Sequence, residues 1–207
     1  LMFGGSINIP EFDTELQKAG GESNAFTSND LTNYYDIVPA QNIETAFWLE
    51  SDRMLSLAFT EKSLEVQRSV VIEEFKQRYL NQPYGDVWLH LRPLVYEKHP
   101  YKWATIGRDI SHIENATMED VKSFFRTFYT PSNAILCVSG NFKKDLVRGQ
   151  IDNYFGDIQG HQKPKRVEFI EPEQEKYKSK DLYRDVPAGA FYYAFKMGSR
   201  KSTDYYL

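Results

Sequence analysis

Glu22-Ser23-Asn24-Ala25-Phe26-Thr27-Ser28-Asn29-Asp30-Leu31-Thr32-Asn33-Tyr34-Tyr35-Asp36-Ile37-Val38 is the stretch that decides how this chain folds. Two runs of β-formers and aromatics, Ser23 to Thr27 and Thr32 to Val38, flank the turn residues Ser28, Asn29 and Asp30 and predict a hairpin. Helical spacing takes over on both sides. Pro10 at a first-turn position and Gly20-Gly21 at the exit bracket a short helix carrying Phe12 and Leu16. After the hairpin, Ile43, Phe47, Met54, Leu57 and Ala58 recur at helical spacing from about Gln41 to Phe59, and Thr60 caps the helix that follows.

That next helix runs from about Leu64 to Tyr79 and ends before Pro83. Tyr84 to Val95 reads as helical up to Pro93, and His99-Pro100-Tyr101 through Ile110 reads as a loop ordered by Trp103 and a turn at Gly107. Thr117 starts a helix whose expected buried side is Val121, Phe124, Phe125 and Phe128. It leads through Thr130-Pro131 into an expected strand from Asn133 to Ser139, closed by Gly140, and a helix from Lys143 to Phe155. Gly160 to Lys178 is rich in Lys, Glu, Gln and Pro with few apolar anchors, which is linker composition. Ala190 to Met197 is expected to be a new strand, and Ser202 to begin a new helix.

The 207 residues suffice for one large domain, or one and a half smaller ones, and 41% hydrophobic with 15% aromatic content describes a folded globular chain. A formal net charge of −4 leaves no electrostatic footprint for nucleic acid. No apolar run approaches the roughly 18 residues a membrane span needs. Cys137 is the single cysteine, so neither an intrachain disulfide nor a cysteine-based zinc knuckle can form; it is expected to pack as a small buried hydrophobe, and it permits cytoplasm or periplasm alike. The chain opens at Leu1 without an initiator methionine and stops at Leu207 inside a predicted helix, so it is expected to be a piece of a longer protein.

Glu74 carries the most chemical information. At about 100° per residue, Leu64, Val71, Ile72, Phe75 and Tyr79 line one face of their helix, and Glu65, Ser69, Glu73 and Lys76 the opposite one. Glu74 belongs to neither group. It projects between Val70 and Val71, with Gln67 pointing the same way, and is expected to be half-buried. An ionised carboxylate out of water costs roughly several kcal/mol without compensation. Glu74 is therefore either paired with Arg68, Arg78 or another base, or it is a metal ligand. His112 followed by Glu114 reads as a surface pair, and Tyr34-Tyr35 and Phe124-Phe125 read as core.

With these elements placed, the chain resembles the insulinase and pitrilysin family of zinc metallopeptidases, which includes mitochondrial processing peptidase. Leu1-Met2-Phe3-Gly4-Gly5-Ser6 looks like the stretch after the family's His-x-x-Glu-His, in which both histidines bind zinc and the glutamate activates water. Ala19-Gly20-Gly21-Glu22-Ser23-Asn24-Ala25-Phe26-Thr27-Ser28 and Thr32-Asn33-Tyr34-Tyr35 look like its substrate-binding edge strand and the neighbouring strand. Val70-Val71-Ile72-Glu73-Glu74-Phe75 resembles the helix that supplies the third zinc ligand, at the position of Glu74. His99-Pro100-Tyr101 and Asn133 through Asn141 agree more weakly.

The resemblance implies an α+β fold in which an antiparallel sheet packs against helices, a metallohydrolase unit of the mitochondrial processing peptidase type lacking its N-terminal part. It implies a truncated peptidase unit over residues 1–160, a linker over 161–182, and the start of a second homologous unit over 183–207. It further implies zinc as the parent's metal, Glu74 as a ligand, Gln67 as a supporting residue where many members carry an acid, and Asn24, Ala25 and Phe26 as the peptide-binding strand. The four histidines, His90, His99, His112 and His161, lack the motif's spacing. Both imidazoles and the general base are therefore expected upstream of Leu1, and this chain alone is expected to bind no zinc and to be inactive. Expected partners are a peptide substrate, the second homologous half, and a second copy pairing through an exposed sheet edge. The alternative is a noncatalytic homologue that serves as a structural or peptide-presenting partner.

Overall fold

Leu16 and Leu49, at 1% and 0% exposure, mark where the first core forms. Helix α1 (Phe12–Lys18) sets Phe12 and Leu16 one turn apart on a single face, and α2 (Ile43–Leu55) brings Leu49 against them; Ile9 and Val38 complete the cluster. Strands β1 (Glu22–Thr27) and β2 (Thr32–Ile37) pair antiparallel, with Ala25 opposite Tyr34 and Ser23 opposite Asp36. Gly20 and Gly21 allow the turn from α1 into β1. Gly20 sits at φ +74°, and a Cβ on Gly21 would lie 2.6 Å from Val38 Cγ1 and 3.0 Å from the Leu16 side chain. The fold is α+β, a hairpin carried on helices. The computed structural model describes residues 2, 4–199 and 201–206, with 204 and 206 by backbone alone. Leu1 and Phe3 of the opening motif, and Leu207 at the end of the last expected helix, lie outside these residues.

By packing, the chain divides into two units, residues 1–69 with 115–166 and residues 70–114 with 167–207. The first holds α1, the hairpin and α2, together with α6 (Met118–Phe128) and α7 (Lys144–Phe155). Thr117 caps α6 reciprocally with Asp120: Asp120 N donates to Thr117 Oγ1 at 3.2 Å, and Thr117 N donates to Asp120 Oδ2 at 2.9 Å. Phe125 is buried against the rings of Phe59 and Tyr129, at 5.4 and 5.1 Å. Phe124 and Phe128, expected to be buried beside it, are 57% and 42% exposed. Helix α7 packs on α2 through an edge-to-face contact of Phe155 with Phe47.

Thr60 caps α3 (Glu61–Phe75), receiving Ser63 N at 3.1 Å, and the helix continues into one π-helical turn, Lys76–Leu80. In the second unit Phe75, Tyr79 and Ala104 form the core, with Leu89, Ile106, Ile110 and Ile113 around it. Helix α4 (Val87–Val95) includes Pro93 rather than stopping there, and α5 (Ile110–Glu114) follows the loop. Residues 167–188 have no regular secondary structure and are held to the α4 region by polar bonds. The Glu171 carboxylate accepts the N–H groups of Glu97, Lys98 and His99 at 2.5, 3.0 and 2.7 Å. Desolvation opposes its ionisation, but those three bonds and the Lys196 charge win and hold it at about 2. Arg184 bonds Asp86 at 2.7 Å, and Tyr84 Oη donates to Ala188 O at 2.7 Å.

Two expected strands do not form. Residues 134–139 and 190–197 have no ladder partner among the described residues, and Ile135 and Phe191 stand 96% and 88% exposed. Apolar, β-branched composition supplies only the propensity; a strand also needs a neighbour for its backbone groups. Cys137, in the first of these segments, is exposed rather than buried for the same reason.

Leu49→Ala should lower stability by about 3 kcal/mol through the cavity it leaves. Leu55→Ala, at a position 59% exposed, should stay within about 0.5 kcal/mol of the parent in urea unfolding.

Candidate functional site

The hairpin has an open edge along β1. Ser28 N donates to Leu31 O at 2.8 Å, which sets the phase of the ladder. Bonded and non-bonded pairs alternate in an antiparallel ribbon, so Phe26 with Asn33 and Asn24 with Tyr35 face each other across ladder bonds. Ser23, Ala25 and Thr27 then turn their backbone groups to the outside. No described strand pairs with that edge, and the Ala25 N–H is held by its neighbour's side chain, Asn24 Oδ1, at 2.8 Å. Phe26 is 56% exposed on the outward face, with Tyr35 and Ile37 exposed on the same face from β2.

The opposite face of the hairpin is charged. Tyr34 and Asp36, two residues apart, both point toward the helices. Tyr34 Oη shares a 2.7 Å hydrogen bond with Tyr129 Oη; burial first, and that bond second, push its ionisation up. Arg53, with only 3% of its side chain exposed, stacks between the rings of Phe12 and Tyr34, at 4.3 and 4.8 Å. Its guanidinium binds Glu50 through Nη2 to Oε1 and through Nε to Oε2 at 3.2 Å. Asp36 lies in hydrogen-bonding reach of Glu50, and its Oδ1 is buried without a partner in the structure. Desolvation, then the charge and hydrogen bond of Glu50, push Asp36 up to about 7 against the pull of Arg53. At the start of β1 a shallow cavity of about 160 Å³ is lined by Asp13, Leu16, Gly21, Glu22 and Ser23.

Gln67 is partly buried on α3. Glu74 lies further along that helix, and its setting differs from the expectation. The side chain is 52% exposed and pairs with Arg78 one turn on, at 3.7 Å. Arg68, the other base considered, pairs with Glu65 at 3.2 Å. Val66 and Val70 are more than half exposed as well, so their sector of α3 is uncovered rather than apolar interior. Arg78 also lines a second open cavity of about 400 Å³ with Tyr79, Tyr84 and Trp88. His112 lies exposed on α5, as expected. No three His, Cys, Asp or Glu side chains cluster with metal-binding geometry among the described residues.

The Asp36, Glu50 and Arg53 group escaped the sequence reading, although signals for it were present. Glu50 and Arg53 are three residues apart on a helix of otherwise apolar spacing, and Asp36 alternates with Tyr34 on the inward side of β2.

Residues 1–104 match the family model described as insulinase, peptidase family M16, and residues 115–207 match that of the peptidase M16 inactive domain. The zinc protease PqqE of Helicobacter pylori is 34% identical over 142 residues, covering 69% of this chain and 32% of its own length. The probable mitochondrial-processing peptidase subunit beta of Arabidopsis thaliana is 26% identical over 147 residues, covering 71% of this chain and 27% of its own. The crystal structure of a protease from Helicobacter pylori superposes with a TM-score of 0.77 at 32% identity, over 83% of this chain and 42% of that one. The chain thus spans about a third of the length of these curated relatives.

Arg53→Ala would remove a buried side chain stacked between two rings and leave the partly exposed Glu50 without its cation, and should cost roughly 2 kcal/mol in chemical denaturation. Arg78→Ala, which removes only the exposed partner of Glu74, should cost less than about 1 kcal/mol.

Proposed function

The chain belongs to the insulinase family of peptidases, family M16, and on that footing we propose that it is the peptide-docking part of a zinc-dependent metalloendopeptidase acting on extended or unfolded peptides. The observation that carries this reading is the open β1 edge. Outward backbone groups at Ser23, Ala25 and Thr27 can add a peptide as a further strand, which supplies affinity without regard to sequence. Phe26, exposed beside Tyr35 and Ile37, offers apolar surface to alternate side chains of that peptide. An incoming carbonyl competes with Asn24 Oδ1 for the Ala25 N–H, so docking requires the carboxamide to turn aside.

Zinc is the metal that the related proteases' names carry, and this chain's contribution would be Glu74, with Gln67 supporting. The described residues alone do not fit a zinc site, since one exposed carboxylate is a single donor and no cluster accompanies it. On this reading the two imidazoles and the general base come from a His-x-x-Glu-His that these 207 residues do not contain, and the chain by itself is inactive. The same reading takes a second homologous half of the protein as its partner in enclosing the peptide, and allows a second copy to pair at the β1 edge. One observation favours the alternative, a noncatalytic homologue that presents peptides: residues 115–207 match a domain model described as inactive.

A fluorescent unfolded peptide should bind the 207-residue chain, and N-methylation of alternate residues in the peptide should abolish binding, because it removes one register of donors. Phe26→Ala should weaken binding about ten-fold. Equal binding of the methylated peptide would rule out strand addition. In the full-length protein, Glu74→Gln should release zinc measured by atomic absorption while Glu73→Gln retains it; equal retention would remove Glu74 from the ligand set, and a full-length protein that never holds zinc would favour the noncatalytic alternative.

A further inference from the structure

The interface between β2 and α2 carries more acid than base. Asp36 and Glu50 meet there in hydrogen-bonding reach of one another. Two carboxylates can share a hydrogen bond only if one of them is protonated, since two ionised groups at that separation repel and have no donor between them. The groups facing Asp36 are Glu50 and Arg53 from α2, Asp13 from α1, and Tyr34 from its own strand. Arg53 is the one cation among them; its guanidinium binds both oxygens of Glu50 and also donates to the Met2 carbonyl at 3.5 Å. Asp13 accepts the Ser23 hydroxyl at 2.8 Å and adds negative charge rather than relieving it. Asp36 Oδ1 is buried with no hydrogen-bond partner, a position where an ionised oxygen is costly and a protonated carboxyl is tolerated.

We propose that Asp36 and Glu50 share one proton across the contact of the hairpin with α2, and that its loss to solvent loosens the hairpin from the helix. Asp36 is held at about 7 in the fold, whereas a free aspartate ionises near about 4. The folded state therefore keeps a proton that the unfolded chain releases. The stabilisation is complete below about pH 4 and is lost as pH rises through 7. Because the outer edge of the same hairpin is β1, the device makes the geometry of that edge pH-dependent near neutrality. The consequence for peptide docking rests on the function proposed above; the shared proton does not.

The test is a pH titration of the 207-residue chain followed by NMR at the side-chain carboxyl carbons. Asp36 should titrate near neutrality, and Glu50→Gln should lower that midpoint. Hydrogen exchange at the β2 amides should quicken above that midpoint, and Asp36→Asn should abolish the step and flatten the fall in the urea midpoint between pH 5 and pH 8. An Asp36 midpoint near 4 overturns the shared proton. A midpoint near 7 with unchanged hairpin exchange overturns the loosening. Neither readout uses a peptide, so a failure of peptide binding would bear only on the proposed function.

Discussion

The Arg53 guanidinium is the fixed point of the first unit. It lies almost wholly out of water, between an aromatic ring of α1 and one of β2, and is tied by two bonds to a carboxylate of its own helix. A two-stranded ribbon is marginal alone in water, so β1 and β2 depend on what their inner face meets. That face offers Tyr34 and Asp36, and what it meets on α2 is Arg53 and Glu50. The stacked cation serves the ribbon as ordinary apolar packing would, since guanidinium faces are weakly hydrated and stack well on aromatic rings. It differs from apolar packing in direction: the hairpin is held at one angle to the helix, and so is the open edge on its far side.

The local devices of the fold were legible because each is written in neighbouring residues. Ser28, Asn29 and Asp30 between two aromatic runs specify a hairpin, and the observed strands fall within a residue of the expected ones. The Thr117 cap, and the Thr60 cap on α3, follow from the preference of a hydroxyl for unpaired amides. What failed was non-local. Residues 134–139 and 190–197 have strand composition, but a ladder is a property of two segments, and no described partner lies beside either. Phe124 failed differently: helical phase identifies the face of α6, but Phe124 meets the rings of Phe128 and Tyr129 at the surface, whereas Phe125 is buried against Phe59 and Tyr129.

The same distinction separates the parts of the candidate site. Asn24, Ala25 and Phe26 lie on the edge strand the sequence implied, with Ala25 outward in its backbone and inward in its side chain. Asp36 was missed because strand alternation gives a side and not a depth, and a charged residue in a hairpin is by default assigned to water. Glu74 shows the converse. The sector it shares with Val66 and Val70 is uncovered, so apolar neighbours did not imply an apolar interior.

For the ligand role proposed for Glu74, the Arg78 pair is a weak competitor. An exposed pair one helical turn apart, at 3.7 Å, is worth at most about 1 kcal/mol, and part of that is lost to salt and to side-chain freedom. Zinc held by a full set of protein ligands is bound by on the order of 10 kcal/mol. The pair is therefore small beside the binding energy of a complete site. The solvent-facing setting acts in the same direction: an exposed Glu74 can turn, whereas Glu50, held by two bonds to the buried Arg53 guanidinium, would have to break a partly desolvated contact first. The exposure of Glu74 is therefore compatible with the ligand role proposed for it, whose companions come from elsewhere, and the two bonds to Arg53 are what set Glu50 apart.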